Sequence, residues 1–145
     1  MDNFQKLLWD LGELLELPLH VDKNNACKLL LDEKLEVQLE MDADEQALLI
    51  VAFIAEVLPG RFREDVLKEA LKVNNLCHPY GSFSYIEQNN YLVFHQYLQS
   101  DDLSGKKLAK HLESFIAEAE EWRTALASGQ PAPFKYKDHT HNLPT

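Results

Sequence analysis

From Asp2 to Leu17 the apolar residues Phe4, Leu7, Leu8, Leu11 and Leu15 recur three or four positions apart, the spacing of one helix face. Trp9 and Leu14 widen that face and Gly12 weakens the helix. Asp2 stands as an N-cap with Gln5 at the reciprocal capping-box position. Pro18 biases Leu17 toward an extended conformation and ends the element. The period then changes. Leu35, Val37, Leu39 and Met41 alternate with Glu36, Gln38 and Glu40, which predicts a strand with one face on a core and one in water. Ala26 to Leu31 forms a companion strand between the turns Lys23-Asn24-Asn25 and Asp32-Glu33-Lys34. Gln46 to Val57 is apolar almost throughout, and its spacings suit a buried strand or a buried helix. Its place after a hairpin-like pair and its stop at Leu58-Pro59-Gly60 favour the strand.

A second amphipathic helix covers Arg61 to Val73, with Phe62, Val66, Ala70 and Val73 on one side and Leu67 and Leu71 beside them. Phe83 to Glu87 and Tyr91 to Leu98 read as strands of a hairpin turned at Gln88-Asn89-Asn90. Leu108, Leu112, Phe115, Ala119, Trp122 and Leu126 mark a long helix from Leu103 to Ala127, stopped by Gly129 and Pro131. The predicted order is helix, three strands, helix, two strands, helix. This is an α+β domain over residues 1–127, whose mostly antiparallel sheet carries helices on its apolar side. Residues 128–145 hold three prolines and little periodicity, and read as a flexible or extended tail.

The chain's 145 residues are enough for one domain with its own core. A net charge of -10 repels phosphate backbones, and the basic residues are scattered, so nucleic acid is not an expected partner. The acidity serves solubility and attracts a basic or mixed-charge protein. Cys27 and Cys77 are the two cysteines and form no CxxC, which fits a reducing compartment. The start MDNFQKLLWDLGELL lacks a basic n-region and a cleavage site. The longest apolar run, Ala47 to Ile54, is too short to span a bilayer as a helix, so membrane insertion is not expected and a cytosolic location is.

Candidate chemistry is thin. Among six histidines only His139 and His141 are close in sequence, beside Asp138 in the tail, and they read as a surface pair rather than a zinc site. Cys27 reads as a small buried hydrophobe within a strand, and Cys77 lacks a visible activating partner. Glu36 and Glu40 share a strand face about 13 Å apart, too far for the usual glycosidase pair. No HExxH, GxSxG, P-loop or GxGxxG occurs. No cofactor, metal or catalytic residue is expected, and a small enzyme is the weakest of the functional readings.

The aromatic residues are more informative. Phe83, Tyr85, Tyr91, Val93, Phe94 and Tyr97 make both faces of the last hairpin at least partly apolar. Helices on one side leave the other face for a dimer mate or a bound protein, unless the last helix or the tail wraps it. A protein-binding module follows, with a generic dimeric adaptor as one form of it.

The segments FQKLLWDLGELLELPLHVD, NNACKLLLDEKLEVQLEM, ALLIVAFIAEVLPG, LKEALKVNNL, GSFSYIEQNNYLVFHQYL and LAKHLESFIAEAEEW, in this order, resemble the class I type III secretion chaperones of the Tir chaperone family, particularly the chlamydial members. The resemblance spans Phe4 to Trp122 and implies a strand over the ambiguous segment. It implies a non-enzymatic homodimer that holds the amino-terminal region of a secreted effector in an extended, soluble form. It also implies an indirect partner, the export apparatus, whose ATPase uses the nucleotide. The dimer interface implied is Val66, Leu67, Ala70, Leu71, Phe83, Tyr85, Tyr91 and Val93 within the middle helix and late hairpin. The client-binding surface implied draws on Leu8, Leu11, Leu15, Leu29, Leu31, Leu35, Val37 and Leu39, a set that also contains core positions. The tail PAPFKYKDHTHNLPT departs from the family pattern.

Overall fold

The computed structural model describes residues 3–136. Its elements are α1 (Asn3–Leu15), β1 (Ala26–Leu31), β2 (Leu35–Met41), β3 (Ala47–Glu56), α2 (Arg61–Asn75), β4 (Ser82–Ile86), β5 (Tyr91–Gln99) and α3 (Gly105–Ala127). The α+β order is the one expected, and the ambiguous segment is β3. The capping role of Asp2 and the His139–His141 pair lie outside the described residues.

All five strands form one antiparallel sheet in the order β1-β2-β3-β5-β4. The β1–β2 turn is closed by the Lys34 N–H on the Leu31 carbonyl at 3.0 Å. Asp32 and Glu33 both take positive φ there, the conformation that matches the twist of a hairpin. In β3 a bulge between Phe53 and Ala55 shifts the register against β5. Gly60, at φ 144, reverses the chain into α2, a conformation that a side chain would strain.

Burial alternates along β2 and β3. Leu35, Val37, Leu39, Leu48, Ile50 and Ala52 are fully covered. α3 lies over this face, where Phe115 stacks on Phe94 at 5.0 Å. α1 packs on α3, burying Phe4, Leu7, Leu8 and Leu11. Gly105 permits the close approach, because a Cβ there would lie 2.7 Å from the Asp10 Cβ. On the opposite face Leu49, Val51, Phe53 and Tyr91 are half-buried and Tyr97 is exposed.

α2 sits beside β4, and Asn74 fastens the two. Its Nδ2 donates to the Phe83 carbonyl at 3.0 Å and its Oδ1 accepts the Phe83 N–H at 2.7 Å. One carboxamide therefore pairs two edge-strand groups as a neighbouring strand would. Replacing Asn74 by Ala removes both bonds, and a loss of about 1–3 kcal/mol is expected in a urea titration.

Candidate protein-interaction site

Two apolar grooves flank the sheet. The first has a volume of about 540 Å³ and lies between the end of α1, the edge strand β1 and α3. Leu15, Leu29 and Leu31 line it with Leu17, Leu112 and Ile116, and Lys110 and Glu113 are charged members of its lining. Leu17 also lines an adjoining cleft of about 580 Å³ that includes Trp9 and Leu19. The two share Leu17 and make a track around the end of α1 in which Glu13, Glu16 and His20 are polar members. Trp9 is 62% exposed, and Leu14, Leu15 and Leu17 are exposed as well.

An open strand edge borders this track. The Asp22 N–H donates to the Ala26 carbonyl at 2.8 Å and the Asp22 carboxylate accepts the Ala26 N–H at 3.1 Å. The backbone groups of Ala26 thus point away from β2. Backbone direction alternates along a strand, so those of Lys28 and Leu30 point the same way. A chain added there would form backbone hydrogen bonds with β1 and place alternate side chains over the groove.

The second groove, about 240 Å³, lies between α2 and β4. Leu67, Ala70, Leu71, Phe83 and Tyr85 line it with Asn74, Ser84 and Leu92. Leu71 is 67% exposed. Arg63 Nη1 donates to the Tyr85 hydroxyl at 2.7 Å, and that hydroxyl donates to Asn90 Oδ1 at 2.7 Å. These bonds fix one wall.

The residues suggested by the sequence divide accordingly. Leu8, Leu11, Leu35, Val37 and Leu39 lie in the core, with 0 to 2% exposure. Leu29 is buried at the floor of the first groove, leaving Leu15 and Leu31 as the members of that set with open surface there. In the other set Val66 is core. Tyr91 and Val93 lie on the far sheet face, cross-strand from Ile86 and Ser84, whereas the remaining five share the α2–β4 groove. Ala109, Leu112 and Ile116 of α3 were not singled out as groove residues. Ala109 and Ile116 stand three and four residues from Leu112 and widen the main apolar stripe on one side.

Among the described residues no three His, Cys, Asp or Glu side chains could together hold a metal ion, and no helix is long and apolar enough to cross a membrane. Cys27 is buried, which pushes its thiol pKa up. Among the described residues the buried carboxylate is Glu118. Burial would raise its pKa, but hydrogen bonds from Lys135 and Tyr136 and attraction to Lys135 and His78 outweigh that and lower it. Its stabilising contribution is therefore present at neutral pH and is lost as pH falls through that depressed value.

The model of the Tir chaperone protein (CesT) family matches residues 6–123. The chain belongs to this family. No curated protein sequence matches this Tir chaperone family member. Its fold is similar to that in the HopA1-SchA chaperone-effector complex, at 22% identity and a TM-score of 0.69, over 84% of this chain and 94% of the other. It is similar to that in the ExsC-ExsE complex at 24% identity and 0.71, over 86% and 96%. It also resembles the Yersinia pestis type III secretion chaperone SycH, solved with a stable fragment of YscM2, at 18% identity and 0.61, over 81% and 97%. Three distant sequences thus share one α+β architecture with this Tir chaperone family member.

Proposed function

We propose that this protein is a type III secretion chaperone that holds the amino-terminal region of an effector in extended form and keeps it soluble for export. The observation that carries the reading is the apolar groove lined by Leu15, Leu29, Leu31 and Ile116 beside the open edge of β1. Effector backbone pairs with Lys28 and Leu30, while apolar effector side chains enter the groove at Leu15, Leu31 and Ile116. The chain acts as a homodimer through the α2–β4 groove, in the bacterial cytoplasm, and reaches the export apparatus through its cargo. No step needs a bond to be made or broken. The negative charge favours encounter with basic effector segments more than it adds to affinity. The likeness to chlamydial members rests on the sequence motifs alone.

The test is tandem expression with candidate effectors, followed by mass-resolved size exclusion. A retained effector amino-terminal region supports the reading, and a groove variant identifies the site. Burying one effector Leu or Ile contributes roughly 1.5–3 kcal/mol before ordering costs. Ile116→Asp is therefore expected to weaken retention about 10- to 100-fold. Ile116 is only partly buried, so circular dichroism should remain unchanged. Retention unaffected by Ile116→Asp and Leu31→Asp together overturns the groove assignment. Failure to retain any effector at micromolar concentration overturns the chaperone reading and leaves a dimeric adaptor.

A further inference from the structure

After α3 the chain doubles back. The Gln130 N–H donates to the Ala125 carbonyl at 2.9 Å and the Gly129 N–H to the Leu126 carbonyl at 3.1 Å, with Gly129 at φ 84. This is a Schellman reversal, which needs the left-handed residue that glycine supplies. The segment then runs along α3 and buries Ala132, Pro133 and Tyr136. Through Lys135 and Tyr136 it meets Glu118, whose carboxylate is 5% exposed.

Three hydrogen-bond donors, and a histidine at ion-pair distance, face that carboxylate from three parts of the chain. Trp122 Nε1 lies 3.2 Å away within α3, and Lys135 Nζ lies 2.6 Å away. The Tyr136 hydroxyl donates to the same oxygen as Trp122. His78 Nε2, from the α2–β4 connection, lies 3.4 Å away. Lys135 also meets Glu121 at 2.8 Å. The Tyr136 ring covers Trp122 at 5.7 Å, and Trp122 packs on Phe83 at 4.4 Å. Phe83 is in turn a wall of the α2–β4 groove. The family match ends at residue 123, so the returning segment lies beyond it.

We infer that residues 130–136 form a releasable strap, latched to the Glu118 carboxylate through Lys135 and Tyr136, that closes over Trp122. The strap carries Pro131 and Pro133, and residues 130–135 belong to no strand or helix. Its attachment is polar at Lys135 and the Tyr136 hydroxyl, while Ala132 and the Tyr136 ring join the edge of the hydrophobic core. Segments of that kind open at lower free energy than the core that they cover. Unlatching exposes the Trp122 face without dismantling the sheet, because β2 and β3 are held by their own ladders. The inference is independent of which protein occupies either groove.

Trp122 reports on the strap in the full chain once Trp9, the other tryptophan, is replaced by Phe. In that background Glu118→Gln and Lys135→Met are expected to raise amide exchange of residues 130–136 at least tenfold. Acrylamide quenching of Trp122 should rise several-fold, with exchange in β2 and β3 unchanged. Tyr136→Phe keeps the ring and should give a smaller rise. Unchanged strap exchange and quenching in all three variants overturns the latch. Strap and sheet exchange rising together in Lys135→Met and Tyr136→Phe overturns release, by making the segment part of the global fold. Those two variants decide the matter if Glu118→Gln does not fold.

Discussion

Leu71→Glu is expected to turn the proposed homodimer into monomers at micromolar concentration while leaving the fold intact. Leu71 is 67% exposed in the single chain, so its removal opens no cavity in the core. It stands in the groove with Leu67, Ala70 and Tyr85, where a second copy would cover it. A two-fold interface repeats every contact, so one substitution removes two buried leucines and introduces two carboxylates. At roughly 1.5–3 kcal/mol per leucine, the lost burial alone comes to about 3–6 kcal/mol. Desolvating the carboxylates adds to it. The dissociation constant should therefore rise by about 10² to 10⁴. Sedimentation velocity over a concentration series measures this, with circular dichroism as the control for fold. A wild-type chain that sediments as a monomer throughout sinks the homodimer, and a Leu71→Glu dimer of unchanged affinity moves the interface elsewhere.

The second large effect lies in the core. Trp122→Ala should cost about 3–5 kcal/mol, a large fraction of the stability of a domain this size. The indole is fully covered and lies between Phe83 and Tyr136. Its N–H also supplies one of the donors to the buried Glu118. Truncation leaves a cavity and removes a partner from a carboxylate that cannot reach water freely. Trp122→Phe retains most of the ring contacts and should cost much less. Urea unfolding followed by circular dichroism at one fixed protein concentration separates the two, since dimerisation adds to apparent stability. Equal midpoints for Trp122→Ala and the parent would refute this account of the core.

The difficulty at β3 shows where periodicity loses its power. Burial along Ala47–Glu56 alternates as cleanly as in β2. In β2 the outward residues are Glu36, Gln38 and Glu40, so alternation of burial is also alternation of polarity. In β3 the outward residues are Leu49, Val51 and Phe53, next to Tyr97, His95 and Val93 of β5. Both faces are apolar there, and a period of two cannot be distinguished from continuous hydrophobicity. The same gap separates Leu39 from Leu15. Both are leucines on the apolar side of an element, but one lies fully covered in the core and the other at a groove that α3 only borders. Glu118 gave no signal either, since a glutamate on a charged helix ordinarily faces water.

Local pattern by itself determined the order of elements, the hairpins, the helix faces and the absence of a familiar catalytic motif. Each rests on residues within a few positions of one another, where backbone geometry dictates which side chains share a face. Only the tertiary structure decided which apolar residues form the core and which line a groove, and that residues 128–136 return to Glu118. Those outcomes depend on what distant elements cover, and hydrophobicity states that a side chain avoids water without naming the surface that shields it.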